Sequence, residues 1–282
     1  MTDRLPPKPN FVIIGAQKSA TRWLRVNLGR HPEMFTVARE LHYWNGGDAA
    51  GALRPITWYR KQFAGWSGEP FLGEATPGYM IWRHTPARTA LRMRIGIPNA
   101  RLIALLRNPI DRAQSALNHH ARRFRIPPGA RLVDVLRERQ PLTLDRLCLA
   151  TGGWYASSLH PFRQGFGDQL LVVLHDDVVA EPVRVYETAV AHIGAGSGFV
   201  PDTIGRVVFS GSPSGGPTRS GLSVEDRVAV WPYFREEVVR LEEFLDRDLS
   251  QWDPTRSGTG SEAVSAASTP ELQPEAVPVP GA

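Results

Sequence analysis

The stretch that decides the fold runs from Phe11 to Leu24 and reads FVIIGAQKSATRWL. Its first four residues are apolar and mostly β-branched, which is typical of a buried strand. Gly15 ends that run, and the residues after it have the pattern of a helix. The first N–H groups of a helix have no backbone partners, so a strand, a tight turn and a helix N-terminus together form an anion-binding site. Because Lys18 adds a positive charge and Ser19 and Thr21 add hydroxyl donors, the stretch predicts a phosphate-binding loop.

This loop is shorter than the loop of nucleoside triphosphatases, which carry a glycine, four residues and then Gly-Lys-Ser/Thr. Only two residues separate Gly15 from Lys18 here, and no glycine precedes the lysine. We expect a shorter loop to hold a smaller anion, such as one 5′-phosphate. The alternative is an ordinary turn between a strand and a helix, with a surface lysine.

A second informative block, ARLIALLRNPIDRAQS, covers residues 100–115. Leu102 to Leu106 is a continuous apolar run, as expected for a parallel strand covered on both faces. Arg107 follows at the carboxyl end of that strand, where open α/β sheets bind ligands. Pro109 suits the first turn of a helix that carries Ser115. A helix N-terminus with solvated arginines is the alternative interpretation.

The order of these two blocks resembles that of sulfotransferases that use 3′-phosphoadenosine-5′-phosphosulfate (PAPS), in particular the branch of the heparan sulfate sulfotransferases and their bacterial relatives. The segment from Lys18 to Arg22 is similar to that branch's 5′-phosphosulfate loop, with Ala20 in place of the usual glycine. We expect Ala20 to keep a right-handed backbone conformation. The resemblance implies that Lys18, Ser19, Ala20, Thr21 and Arg22 bind the 5′-phosphosulfate and that Arg107 and Ser115 bind the 3′-phosphate.

Between the two blocks, the segment from Ala38 to Trp44 resembles the family's Lys-Glu-x-His-Phe-Phe motif. The resemblance implies that Glu40 is the catalytic base. An acceptor hydroxyl attacks sulfur efficiently only if its proton leaves as the new bond forms, and a carboxylate within hydrogen-bond reach can take it. His42 is the competing base, and a surface glutamate beside a core aromatic pair is the structural alternative.

The segment from Leu72 to Tyr79 resembles the family's Glu-Lys-Thr-Pro-x-Tyr motif, with Ala75 where the heparan-type enzymes have lysine. That absence argues against a heparan-like acceptor. We expect Glu74 to pair with Arg22 or another nearby base, or to contact the acceptor. The predicted acceptor-binding residues are Glu74, Thr76, Tyr79 and Trp44, and the aromatic residues predicted to wall the pocket also include Trp58, Tyr59, Trp66 and Trp82.

Three segments further along also match family patterns. The segments 153–159 and 162–166 predict a helix, and Leu170 to Leu174 predicts a buried strand. The acids that follow this strand, Asp176 and Asp177, are interpreted as solvated or helix-capping residues. No second cluster at ligand spacing supports a metal site there.

The last segment, 209–221, is a Gly/Ser/Pro loop in which Arg219 is the one basic residue. The heparan-type enzymes have a Lys-Gly-Arg-Thr segment in this region, so the resemblance makes Arg219 the candidate that wraps the 3′-phosphate. A plain linker is the alternative. We expect one amphipathic helix from Val224 to about Leu249.

The composition agrees with a single α/β domain with a central, mostly parallel sheet flanked by helices, as in the P-loop sulfotransferase fold. The chain has 282 residues and a net charge of +5. We expect an N-terminal arm over 1–9, the domain over 10–252 and a disordered tail over 253–282. One cysteine, no secretory signal and no membrane-spanning run favour a cytoplasmic protein. Carboxylates interrupt the basic segment around Arg123, so nucleic acid is not the expected partner.

The resemblance therefore implies an enzyme that moves a sulfuryl group from PAPS to a hydroxyl of a small-molecule, glycan or natural-product acceptor. Glu40 would act as the base, and Lys18 would stabilise the charge that develops on the bridging oxygen. No metal is required by this scheme. The alternatives are an ATP-dependent small-molecule kinase and a noncatalytic protein that binds PAPS or another nucleotide.

Overall fold

Five parallel strands form the centre of the molecule. The computed structural model describes residues 5–46, 54–81, 85–138, 145–205 and 222–256. The described strands are β1 (Phe11–Gly15), β2 (Met34–Thr36), β3 (Phe71–Ala75), β4 (Arg101–Leu106) and β5 (Leu170–Leu174). Their order across the sheet is β2-β3-β1-β4-β5, and every recorded pairing is parallel. The predicted α/β class and parallel sheet are therefore confirmed.

Helices pack on both faces of this sheet. Those described are α1 (Thr21–Leu28), α2 (Ile56–Lys61), α3 (Pro86–Gly96), α4 (Pro109–Arg122), α5 (Leu132–Glu138), α6 (Tyr155–Phe166), α7 (His175–Ala180), α8 (Pro182–Ile193), α9 (Val224–Val230) and α10 (Arg235–Leu245). Short 3₁₀ turns include Pro77–Met80, which follows β3, and Trp231–Tyr233, which separates α9 from α10. None of the described helices is long and apolar enough to span a bilayer.

Alternation along the strands divides the core into two parts. Phe11 and Ile13 of β1 belong to a cluster that includes apolar residues of α1 and α8. Val12 and Ile14 belong to the larger cluster on the opposite face, which includes apolar residues of α3, α4, α6 and α10. Because successive side chains of a strand point to opposite faces, a strand buried on both sides is apolar at every position.

The chain leaves β1 through a close approach that requires glycine. A Cβ on Gly15 would overlap the side chain of Met80 in the 3₁₀ turn after β3. The loop after β1 and the first turn of α4 after β4 then lie side by side, because β1 pairs directly with β4. The carboxyl ends of two neighbouring strands thus present both predicted phosphate-binding segments at one edge of the sheet.

The predicted single helix from Val224 to about Leu249 is wrong. It is two helices, α9 and α10, separated by the 3₁₀ turn that contains Pro232. Proline has no N–H to donate and its ring clashes with the preceding turn, so it interrupts the α-helical hydrogen-bond pattern. Residues 257–282 of the predicted tail lie outside the described residues.

Candidate functional site

A cavity of about 930 Å³ opens at the carboxyl edge of the sheet. The loop after β1, the start of α1, the segment after β2, the end of β3, α4 and the start of α7 all contribute to its lining. Its basic lining residues are Lys18, Arg22, Arg25, Arg107 and Arg123, and among the described residues Glu40 is the one carboxylate that lines it. None of these five cations forms an ion pair with a described residue, so the cavity is suited to an anion.

The loop between β1 and α1 bends through two left-handed residues, Lys18 with φ 71° and Ala20 with φ 67°. The prediction that Ala20 stays right-handed is therefore wrong. Ala20 is the N-cap of α1 and provides no side-chain hydrogen bond to the helix. Because no side chain caps them, the first N–H groups of α1 remain available to a bound anion.

The second wall of the cavity comes from the start of α4. Asn108 caps this helix, since its Oδ1 accepts a hydrogen bond from the N–H of Ile110 at 3.0 Å. Arg107 precedes the cap, and its carbonyl accepts a hydrogen bond from the Tyr155 hydroxyl at 2.9 Å. The guanidinium of Arg107 and the hydroxyl of Ser115 both line the cavity. A fixed backbone and a side chain without a carboxylate partner leave Arg107 suited to a phosphate.

Crowding of positive charge shifts the pKa values of two groups in the cavity. Burial, followed by the guanidinium groups of Arg122 and Arg123, lowers the pKa of Lys18 to about 8. Burial and the nearby Lys18 ammonium lower the pKa of His119 to about 4. His119 is therefore a neutral imidazole at neutral pH, and the charge of Lys18 depends on pH near the physiological range.

Glu40 and His42 form a pair beside the cavity. Nε2 of His42 lies 3.1 Å from Oε2 of Glu40, and both side chains are about half exposed (52% and 52%). This hydrogen bond raises the pKa of His42. Glu40 lines the cavity, whereas His42 does not. The Glu40 carboxylate can therefore contact a ligand in the cavity while it keeps its hydrogen bond to the His42 imidazole.

Comparison with known proteins identifies this fold. No protein-family model matches the chain. A sulfotransferase from Alicyclobacillus acidocaldarius has 28% sequence identity and a TM-score of 0.70, over 87% of this chain and 99% of that one. This chain is therefore similar to sulfotransferases in fold and in sequence.

Curated sulfotransferases match shorter parts of the chain. The membrane-associated sulfotransferase kil1 of Dictyostelium discoideum is 38% identical over 111 residues, which are 38% of this chain and 22% of that protein. Mouse heparan sulfate glucosamine 3-O-sulfotransferase 3B1 is 29% identical over 177 residues, 62% of this chain and 43% of the mouse protein. The chain thus spans less than half the length of these curated relatives.

Most residues predicted to bind the donor lie together. Lys18, Ala20, Thr21, Arg22, Arg107 and Ser115 all line the same cavity. Ser19 is fully buried beneath the loop. Arg219 and the rest of the segment 209–221 lie outside the described residues.

The four residues predicted to bind the acceptor do not line the cavity. Glu74, Thr76 and Tyr79 are fully buried and Trp44 is 2% exposed. Glu74 does not pair with Arg22 as we expected, because its carboxylate accepts hydrogen bonds from three hydroxyls instead, those of Tyr59, Thr76 and Tyr79. The neighbouring Ala75 and Pro77 reach the cavity in their place.

Sequence reasoning missed His119 as a residue that lines the cavity. It lies four residues after Ser115 on α4, and Arg123 lies four residues after His119. Residues four apart on a helix share a face, so the position of Ser115 already predicted that His119 and Arg123 point the same way.

The acids after β5 have structural partners in the described chain. Asp177 pairs with both Nη atoms of Arg247 at 2.7 and 2.8 Å, and Oδ2 of Asp176 accepts the indole N–H of Trp252 at 2.8 Å. Asp176 is nevertheless exposed and both acids lie in the first turn of α7, as the interpretation of solvated or helix-capping residues expected. Within the described residues no group of three or more potential ligands could hold a metal ion.

Proposed function

We propose that this protein transfers a sulfuryl group from PAPS to a hydroxyl of a small-molecule, glycan or natural-product acceptor. The observation that carries this proposal is the cavity itself. Among the described residues, five cations without an ion-pair partner and an uncapped helix N-terminus line it together with one carboxylate, Glu40. PAPS, when bound, supplies the sulfuryl group and carries the negative charges that such a cavity needs.

The two basic walls of the cavity fit the two phosphate-bearing ends of that donor. We assign the 5′-phosphosulfate to Lys18, Ser19, Ala20, Thr21 and Arg22, because this segment leads into α1, whose first N–H groups have no backbone partner and suit an anion. The 3′-phosphate is assigned to Arg107 and Ser115, as a bidentate guanidinium contact and a neutral hydroxyl donor. Arg219 is an additional candidate for the 3′-phosphate.

Glu40 is the proposed base. It accepts the proton of the acceptor hydroxyl while the hydroxyl oxygen bonds to sulfur and the bond from sulfur to the bridging oxygen breaks. The Glu40–His42 contact of 3.1 Å supports this role, because the imidazole donates to one carboxylate oxygen and leaves the other for the proton. Lys18 neutralises the charge that collects on the departing oxygen, which is an electrostatic effect largest in the transition state.

Ala75, which lines the cavity, narrows the chemical class of acceptor that we propose. The heparan-type enzymes that the chain resembles have a lysine at the matching position, and alanine provides no charge there. A heparan-like acceptor is therefore disfavoured, and a small-molecule or natural-product hydroxyl is preferred. Residues other than Glu74, Thr76, Tyr79 and Trp44 must contact it, because those four are buried away from the cavity.

The test compares Glu40→Gln with His42→Gln in PAPS-dependent transfer to a panel of phenols, sugars and lipid alcohols. We expect Glu40→Gln to lower kcat by about 100-fold or more because the proton acceptor is lost. His42→Gln should cost less, since Glu40 keeps its carboxylate. Both variants should bind 3′-phosphoadenosine-5′-phosphate (PAP) as the wild type does.

Two outcomes overturn parts of this proposal. If Glu40→Gln keeps its turnover and His42→Gln loses it, the base is His42. If the wild type binds PAP but transfers sulfuryl to no acceptor, and binds ATP equally well, the protein is a nucleotide-binding protein or a kinase.

A further inference from the structure

A buried carboxylate lies beneath the segment that carries Glu40. Glu74 of β3 is fully buried and has no cationic partner among the described residues. Its Oε1 accepts hydrogen bonds from the hydroxyls of Tyr59 and Tyr79, each at 2.7 Å. Its Oε2 accepts one from Thr76 Oγ1 at 2.6 Å. A buried ionised group is stable only when its hydrogen bonds are satisfied, and three hydroxyl donors meet that need.

Each of the three hydroxyls also accepts a hydrogen bond from an N–H group of the segment 41–44. The backbone N–H of Leu41 donates to Thr76 Oγ1 at 3.0 Å, and the backbone N–H of Tyr43 donates to the Tyr79 hydroxyl at 3.2 Å. The indole N–H of Trp44 donates to the Tyr59 hydroxyl at 3.1 Å. Three parallel chains of hydrogen bonds therefore run from this segment through a hydroxyl to one carboxylate.

The segment 38–44 has no helix or strand of its own. His42 adopts a left-handed φ of 50°, a conformation that a non-glycine residue keeps only when its surroundings hold it. Two hydrogen bonds anchor the chain on either side of this segment. The N–H of Val37 donates to the Gly73 carbonyl, and Asn45 Nδ2 donates to the Gly78 carbonyl. Between those two anchors, Thr76 and Tyr79 bind the backbone on either side of His42.

We propose that Glu74 is a positioning residue, which fixes the Glu40–His42 pair at the cavity through the hydroxyls of Thr76, Tyr79 and Tyr59. The expected effect of Glu74 on turnover rests on the proposed function, whereas its expected effect on the geometry of the Glu40–His42 pair does not. Burial raises the pKa of Glu74, and the hydrogen bonds from Thr76, Tyr59 and Tyr79 act in the opposite direction. In its ionised form Glu74 only accepts hydrogen bonds, so each hydroxyl then donates its proton inward and offers a lone pair to the segment above. Polarised hydroxyls of this kind are stronger acceptors than isolated ones.

Glu74→Gln tests this arrangement with almost no change in volume. The amide must donate to one of the hydroxyls, which then loses its orientation toward the segment 41–44. Thr76→Val removes one hydroxyl, and Thr76→Ser keeps it as the conservative rescue. Val238→Ala on α10 is the packing control, because it removes buried apolar volume without removing a hydrogen-bonding group.

The decisive readout is the titration of the His42 ring, followed by NMR without any substrate. The hydrogen bond to Glu40 raises the pKa of His42 in the wild type, with smaller contributions from Asn45 and from the charge of Glu74. Thr76→Val is therefore the discriminating variant, because it keeps the Glu74 charge that Glu74→Gln removes. We expect that pKa to fall toward the ordinary histidine value in Glu74→Gln and Thr76→Val, and to stay raised in Thr76→Ser and Val238→Ala. In a turnover assay, kcat should drop by up to about 100-fold in the first two variants while PAP affinity is unchanged.

An unchanged His42 titration in Glu74→Gln and Thr76→Val overturns the proposal. So does a change confined to the KM of the acceptor, which would assign Glu74 to acceptor binding. If the His42 pKa falls as expected but the wild type neither binds PAP nor transfers sulfuryl, the positioning role stands and the proposed function fails.

Discussion

At the scale of single residues, the phosphate-binding loop is built on two unusual backbone conformations. Lys18 and Ala20 both have a positive φ, which brings the side-chain Cβ of an L-residue close to the following carbonyl. At Ala20 this conformation turns the chain directly into α1. Glycine adopts it without that steric cost, which gives a physical reason for the glycine that related loops carry at this place.

Replacing Ala20 by glycine is therefore expected to stabilise the protein. We expect Ala20→Gly to raise the free energy of unfolding by about 0.5–1 kcal/mol, because relief of the left-handed strain exceeds the extra entropy of glycine in the unfolded chain. Urea denaturation measures the change. Ala191→Gly in the exposed, right-handed part of α8 is the control and should lower stability by about 0.5–1 kcal/mol. Equal destabilisation by both substitutions would contradict the strain at Ala20.

The lowered pKa of Lys18 makes anion binding depend on pH. Because the pKa of Lys18 is about 8 in the free protein, its ammonium is present below pH 8 and is lost above it. The phosphates of PAP are fully ionised over this range, so we expect PAP affinity to fall about tenfold from pH 7 to pH 9. Titration calorimetry at several pH values, in buffers of different ionisation heat, should also detect proton uptake on binding above pH 8.

Lys18→Arg is the matched control for that titration. The guanidinium remains charged throughout the range, so the fall in affinity should disappear even if the affinity at pH 7 is lower. A fall that persists in Lys18→Arg would assign the pH dependence to another group.

Of the residues predicted from the sequence, more of those assigned to the donor than of those assigned to the acceptor line the cavity. Arg107 follows β4 directly and Lys18 lies in the loop after β1. Open α/β sheets bind ligands at the carboxyl ends of their parallel strands. Glu74 was misassigned, because the sequence does not reveal that Tyr59 lies over its carboxylate. His119 was missed although helical spacing from Ser115 indicated it.

At the scale of elements, continuous apolar runs identified β1, β4 and β5 because each packs against apolar residues on both faces. The break between α9 and α10 was missed, although Pro232 carries the physical signal for it. The apolar spacing on both sides of Pro232 is helical, so periodicity alone favoured one long helix. Where the two conflict, the backbone constraint of a proline outweighs the helical spacing of apolar residues.

The contact between α10 and α6 includes a buried carboxylate at a helix N-terminus. Glu237 of α10 is 8% exposed. Its Oε2 accepts a hydrogen bond from the N–H of Ser157 at 3.1 Å, and its Oε1 accepts one from the Ser157 hydroxyl. A carboxylate near the first turn of a helix satisfies N–H groups that lack backbone partners and interacts favourably with the helix dipole. The same turn carries Tyr155, whose hydroxyl holds the Arg107 carbonyl.

Removal of this carboxylate should destabilise the protein. We expect Glu237→Ala to lower the free energy of unfolding by about 1–3 kcal/mol, because two hydrogen bonds are lost and the groups at Ser157 remain buried. The neighbouring Glu236 is the control, since its exposed ion pair with Arg240 should contribute less than about 1 kcal/mol. Urea denaturation of both alanine variants makes the comparison, and equal effects would contradict the capping role of Glu237.

At the scale of the whole molecule, the strand order explains how distant parts of the chain form one site. β1 lies in the middle of the sheet with β3 on one side and β4 on the other. The loop after β1, the end of β3 and the start of α4 therefore meet at one edge. Alternation of strands and helices in the sequence predicted a parallel sheet, but the order of strands depends on crossovers that local patterns do not encode.

Charge is also distributed unevenly over the molecule. The net charge of +5 is modest for 282 residues, yet five unpaired cations face one cavity. Many other arginines are neutralised locally, for example Arg247 by Asp177 and Arg227 by Asp111. The cavity thus concentrates positive potential that the overall composition does not reveal, and it provides the electrostatic basis for recognition of a multiply charged donor.

The central claim is that this cavity binds a 3′-phosphoadenosine donor, and calorimetric titration with PAP tests it most directly. The wild type, Arg107→Ala and the control Arg101→Ala, at the exposed amino end of the same strand, are each titrated with PAP and with ATP plus magnesium. We predict that the wild type binds PAP more tightly than ATP, that Arg107→Ala weakens PAP binding by about 10- to 100-fold, and that Arg101→Ala changes nothing. Equal or tighter binding of ATP, or PAP binding that is indifferent to Arg107, would contradict the account.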